Sequence, residues 1–154
     1  MNKECQSIVR RIFTVQRYFK IFLNYKLKRH GLNSAQFMVL LILTKEDGLS
    51  QEAINEGLQF DKGFLAKVAK SLEKDGYIIR KVNQEDRRAY ELFLTDKTKA
   101  LKSMIFEILD EWDSTVLEGV NEREIDILNG TLEGMLERVA KKCKEVKEDY
   151  NEKT

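Results

Sequence analysis

The sequence predicts a mainly α fold with a small β-hairpin wing: a winged helix-turn-helix joined to a helical lobe. Three observations carry that expectation. Residues 49–95 read, in order, as a short helix, a turn, a helix with lysines on one face, a strand, a charged hairpin and a second strand. Elsewhere, apolar residues recur at helical spacing. None of the 154 residues is a proline that would interrupt it.

Residues 5–29 place Ile8, Ile12, Val15, Phe19, Phe22 and Leu23 along one helical face. His30-Gly31 ends this helix, because glycine accepts the left-handed conformation of a C-cap. Ser34 is expected to cap a second helix over 35–45, almost continuously apolar from 37 to 43. A helix apolar on all sides belongs between other elements. Asp47-Gly48 turns the chain, Ser50 caps a short third helix ending near Glu56, and 57–60 forms the next turn. Asp61 caps a fourth helix, Lys62–Lys74, which Asp75-Gly76 closes. Residues 77–82 and 89–94 read as strands around a polar hairpin, 83–88, too long for a two-residue turn. Thr95 or Asp96 caps a long fifth helix running to about Leu117. Asn121 starts a sixth, ending near Lys147, and the charged tail 148–154 is expected to fray. One chain thus carries a winged helix-turn-helix lobe, 33–96, and a helical lobe, 1–30 with 97–147.

Hydrophobic content of 42% is enough for a core, and 34% charged residues exclude a membrane span. The N-terminus shows no secretory pattern, so a cytoplasmic location is expected, where Cys5 and Cys143 are free thiols. The net charge of +1 conceals an uneven distribution. Residues 1–30 hold eight Lys/Arg against one acid, and 61–99 hold ten against seven. Residues 31–60 hold one against four, and 100–154 hold eight against fourteen. A nucleic-acid footprint needs a basic face rather than a basic protein.

On a wheel at 100° per residue, Leu65, Val68 and Leu72 of the fourth helix face the core. Gly63, Ala66, Lys67, Lys70 and Lys74 fall opposite. Small residues keep that face low, and the lysines reach phosphates or a guanine edge. A lysine stripe alone usually means a solvated face; the strand pair directly after it favours DNA. In the hairpin, Arg87 and Arg88 suit a narrow minor groove, with Asp86 placed to orient an arginine.

These residues resemble the MarR family of transcriptional regulators, closely over about 30–100 and in kind over the flanking helices. The resemblance rests on Leu49-Ser50, on Leu58 followed by Phe60-Asp61, and on the run from Leu72 to Ile78. Its most specific part is Asp86-Arg87-Arg88 followed at fixed spacing by Leu94-Thr95. It implies a homodimer, built from the first helix and the last two, on a pseudo-palindromic operator in double-stranded DNA. It also implies that the fourth helix enters the major groove and that Arg88, beside Arg87, reaches the minor groove. The chain departs from the family at Gly63 and Phe64, where many relatives carry Ser or Thr. That shifts weight for DNA binding onto Lys62, Lys67 and Lys70.

Part of the family senses peroxides through a cysteine in the first helix; that position falls near Ile12 here, and Cys5 is about two turns too early. Other members bind small aromatic or phenolic effectors between the two lobes. The aromatics placed to line such a pocket are Phe13, Phe19, Phe22, Tyr25, Phe37, Phe106 and Trp112, whose helical spacing equally suits an ordinary core. Enzyme chemistry has little support. His30 is the single histidine, so no His-based triad or His-rich metal site assembles, and there is no phosphate loop or dinucleotide fingerprint. Glu107, Asp110, Glu111 and Asp113 read as a solvated acidic face. No metal or cofactor is expected. The alternative to a DNA-binding regulator is a winged-helix module whose lysine face meets an acidic protein.

Overall fold

The computed structural model describes the backbone over residues 3–83 and 89–152, and the side chains of 8–61, 63–83 and 89–146. The chain divides into two compact units, Met1–Trp112 and Asp113–Thr154. The elements are α1 (Lys3–Leu27), a 3-10 turn (Lys28–His30), α2 (Ser34–Lys45), β1 (Leu49–Ser50), α3 (Gln51–Leu58) and α4 (Lys62–Lys74). They continue with β2 (Ile78–Val82), β3 (Tyr90–Leu94), α5 (Asp96–Lys99), α6 (Lys102–Val116) and α7 (Glu122–Glu152). No helix among the described residues is long and apolar enough to cross a membrane.

In the first unit, α1 ends as expected. Gly31 sits at φ 65°, and its N–H donates to the Lys28 carbonyl. The cap of α2 falls one residue earlier than expected, on Asn33 rather than Ser34. Asn33 Oδ1 accepts from the Gln36 N–H at 3.0 Å, while Gln36 Oε1 accepts from the Asn33 N–H at 2.9 Å. That reciprocal box needs a Gln or Glu three residues after the cap, which only Asn33 has. Phe37, Val39, Leu40 and Leu43 of α2 are buried at the centre of the core. Around them lie Leu23 and Leu27 of α1, Ile54 of α3, Leu65 and Leu72 of α4, Ile78 and Leu92 of the strands, and Ile105 of α6. Each such side chain contributes about 1.5–3 kcal/mol by leaving water.

The sheet is antiparallel, in the order β1-β3-β2. β2 pairs with β3 from Ile78↔Leu94 to Val82↔Tyr90. β1, which pairs Leu49 with Leu92 and Ser50 with Glu91, has no counterpart in the sequence expectations, because a two-residue strand is too short to show a period. Residues 84–88 lie outside the described residues. At their base the Asn83 N–H donates to the Ala89 carbonyl at 3.0 Å.

The expected long fifth helix is two helices. α5 stops at Lys99, and at Leu101 the chain bonds back three residues to Thr98 rather than four. Side chains of α5 are committed elsewhere. Thr98 Oγ1 donates to the Tyr77 carbonyl and Lys97 Nζ to the Asp75 carbonyl at 2.8 Å. These contacts fasten α5 to the turn between α4 and β2, and composition alone gives no sign of the break.

The second unit holds the end of α6 and α7. Asn121 caps α7 as expected, in a second reciprocal box with Glu124, both bonds at 3.0 Å. The backbone stays helical to Glu152, past the expected end near Lys147 and into the tail expected to fray. Ile127, Leu128, Leu132, Leu136, Val139 and Val146 of α7 are exposed.

Candidate nucleic-acid interface

α4 shows one face to solvent. Leu65, Val68, Ala69 and Leu72 are buried, whereas Gly63, Ala66, Lys67, Lys70 and Lys74 are exposed. The three lysines form no salt bridge among the described residues. Three positive charges on a low face can displace counterions from a duplex. Asp61 sets the helix start: its carboxylate accepts from the Gly63 N–H at 2.9 Å and the Phe64 N–H at 3.2 Å. These satisfy two of the free donors of the first turn. Phe64 is 46% exposed and meets Phe60 edge-on, with ring centroids 5.2 Å apart. Lys62 is the first residue of α4, and its side chain lies outside the described residues. So do Asp86, Arg87 and Arg88, the expected wing tip.

A contact that sequence spacing did not signal ties this helix to the hairpin. Arg80 of β2 donates from Nε to Glu73 Oε2 of α4 at 2.8 Å. Its guanidinium also lies 5.2 Å from the Tyr90 ring centroid on β3. The hydrogen bond from Arg80, more than its charge, holds the Glu73 carboxyl below the ordinary glutamate value, and the same bond raises Arg80. Lys70 adds a weaker pull on Glu73. One guanidinium thereby links α4, β2 and β3.

The aromatics expected to line an effector pocket do not act as a set. Phe37 is fully buried in the core, so it lines no open cavity. Phe19 and Phe22 pack on Trp112, with centroids 4.9 and 5.4 Å away. Phe13 and Tyr25 are exposed, and Phe106 lies half-buried with Lys102 Nζ 6.0 Å from its ring centre. Tyr25 lines an open cavity of about 650 Å³ with Lys26, Lys28 and Arg29. A second cavity of about 420 Å³ lies where α3 meets Leu65 and Tyr90, lined by Gln51, Asn55 and Gln59. The acidic residues Glu107, Asp110, Glu111 and Asp113 are exposed, and Glu111 bonds Lys26 at 2.5 Å. Among the described residues, no group of three or more His, Cys, Asp or Glu is arranged to hold a metal. Cys143 is a free, exposed thiol.

Comparison with known proteins decides the family. The MarR family model matches residues 30–89. A MarR transcriptional regulator from Methanosarcina mazei Go1 is 33% identical, with a TM-score of 0.83 over 88% of this chain and 98% of that one. The chain belongs to the MarR family. The transcriptional regulator BilQ of Clostridioides difficile is 27% identical over 80% of this chain and 83% of its own. A putative MarR family regulator from Listeria monocytogenes, solved in complex with a 26mer DNA, is 28% identical. It covers 86% of this chain and 89% of its own, with a TM-score of 0.83. These MarR relatives are transcriptional regulators, not enzymes.

Proposed function

We propose that this MarR-family chain is a homodimeric transcriptional regulator that binds a pseudo-palindromic operator, with α4 in the major groove. The observation that carries the reading is the division of α4 into a buried Leu65-Val68-Leu72 face and an exposed face of Gly63, Ala66, Lys67, Lys70 and Lys74. The 26mer DNA bound by the Listeria relative supports the same partner here. In this proposal Lys62, Lys67, Lys70 and Lys74 contact backbone or base edges, and Arg87 and Arg88, oriented by Asp86, contact the minor groove.

The test is duplex selection from a random pool, followed by affinity measured against salt. A regulator gives an enriched sequence with two related half-sites, and an affinity falling steeply with log salt concentration. A protein that enriches no sequence, but binds an acidic protein through the same lysines, would be an interaction module instead.

A small aromatic or phenolic effector forms part of the proposal. The cavity beside Tyr25 suits it, because Lys28 and Arg29 offer positive charge to a phenolate or an aromatic carboxylate. Titrating a simple aromatic acid into the protein–operator complex tests this part. Saturable release supports it, and undisturbed binding at millimolar acid removes the effector.

A further inference from the structure

The first turn of a helix entering a major groove is where side chains meet base edges. Apart from Lys62, whose side chain lies outside the described residues, that turn is apolar. Gly63 and Ala66 carry no hydrogen-bonding group, and Phe64 is a bare ring, 46% exposed. Phe60 holds the ring edge-to-face at 79° and 5.2 Å, a geometry that aromatic pairs favour. The ring is therefore oriented before any ligand arrives. The backbone donors beside it are engaged, since the Gly63 and Phe64 N–H groups both donate to Asp61 Oδ1. That carboxylate also disfavours a phosphate at the same spot. Beside the proposed contact of Lys62, what this turn offers a base edge is apolar. Helical side chains lean toward the N-terminus, so the exposed edge of Phe64 projects ahead of the helix. On the major-groove edges of the four bases, the apolar feature is the C5 methyl of thymine.

We propose that Phe64 reads a thymine methyl in each half-site of the operator. The inference rests on the reading that α4 enters the major groove. The full-length chain is used to select a duplex, and each thymine of one half-site is then replaced singly by deoxyuridine, which removes only the methyl. At one position the wild-type affinity should fall about fourfold, the equivalent of burying one methyl carbon. Phe64→Ala should bind the thymine and deoxyuridine duplexes equally, and Phe64→Leu should keep a reduced preference. Melting temperature checks that both variants fold. If Phe64→Ala binds too weakly to measure, Phe64→Leu decides, and a thymine preference unchanged from wild type overturns the proposal. A wild type indifferent to every methyl, or an unaltered methyl effect in Phe64→Ala, also overturns it while leaving operator binding intact. Failure of the wild type to select any sequence would take down the DNA-binding reading and this inference together.

Discussion

Glu73 and Arg80 connect the last turn of α4 to β2 through a 2.8 Å hydrogen bond, and Arg80 rests against Tyr90 of β3. The pair lies at the junction of a helix and the strand that follows it. It therefore sets the angle between them more than it adds to the core. With side chains 36% and 26% exposed, the ion pair is partly screened and its stabilisation is modest.

Replacing Glu73 by Gln should accordingly destabilise the fold at neutral pH by no more than about 1 kcal/mol. The sign of the pH effect follows from the lowered Glu73 value. A carboxyl that is more acidic when folded stabilises the fold fully above its unfolded value, near 4.3, and loses that effect as pH falls through the folded value. Urea denaturation of wild type and Glu73→Gln should thus differ at pH 7 and converge in acid. A difference that persists unchanged at pH 3 would show that packing, not charge, is what the glutamate supplies.

Gly48 is a more severe test of the sheet. It sits at φ 83°, and an added Cβ would lie 2.6 Å from Cε1 of the Phe93 ring. Its N–H donates to the Leu92 carbonyl at 3.0 Å, so the residue cannot retreat without breaking the β1–β3 junction. Gly48→Ala combines a left-handed backbone with overpacking and should cost on the order of 2–3 kcal/mol. Thermal melting reads the loss, and an unchanged midpoint would mean that Phe93 moves aside freely.

Tyr77 carries a smaller, separable effect. Its hydroxyl donates to the His30 carbonyl at 2.6 Å, linking the turn after α1 to the start of the wing, and the residue is 6% exposed. Tyr77→Phe leaves that carbonyl without this donor, at a cost of about 1–2 kcal/mol. Lys97 Nζ, 3.9 Å from the ring centroid, should stay in place because the ring is retained. Denaturation at neutral pH measures the change, and full stability in Tyr77→Phe would show that water replaces the hydroxyl.

The order of elements was legible because each long helix carries its own apolar period and its own stop. Asp61 and Ser50 announced their caps correctly, since an Asp or Ser before an apolar period has few other local uses. What stayed hidden depends on partners distant in sequence. β1 exists only because Leu49 and Ser50 meet β3. The break after Lys99 follows the commitments of Lys97 and Thr98 to the turn before β2. For the candidate site, a helical wheel sufficed to find the exposed face of α4. It could not find Glu73–Arg80, whose members lie on a helix and a strand with no shared period. Nor could it separate Phe37, which is core, from Tyr25, which lines a cavity.

Lys67 and Lys70 should be distinguishable by how they bind. A lysine on phosphate contributes equally to all sequences, and its loss lowers the salt slope by about 0.9. A lysine on a guanine edge costs about 1–3 kcal/mol on the selected operator and relaxes one base preference. Lys67 lies nearer the N-terminal end of α4, the end of such a helix that meets base edges, and Lys70, nearly a turn further along, suits a phosphate. Anisotropy titrations of Lys67→Ala and Lys70→Ala at several salt concentrations should show the specific loss in Lys67→Ala and the uniform loss in Lys70→Ala. Unchanged affinity in the double variant would remove both from the interface.

The exposed apolar rows give the proposed dimer its sharpest test. On α1, Ile8, Val9, Ile12, Phe13, Val15 and Ile21 are each about half exposed or more. On α7, Leu128, Leu132, Leu136 and Val139 are exposed and recur at spacings of four, four and three residues, the period that packs one helix along another. In a monomer, a charge placed at Ile12 or Leu136 would sit in water and change stability by about 0.5 kcal/mol or less. In a two-fold dimer each substitution occurs twice. Burying a leucine-sized side chain is worth about 1.5–3 kcal/mol, so losing two such contacts should raise the dimer dissociation constant at least a hundredfold, at 1.4 kcal/mol per tenfold. Sedimentation equilibrium of wild type, Ile12→Asp and Leu136→Asp measures that shift, and helicity by circular dichroism confirms that each variant is folded. A wild type that sediments as a monomer at micromolar concentration would sink the dimer. A dimer indifferent to both charges would place its interface on another surface.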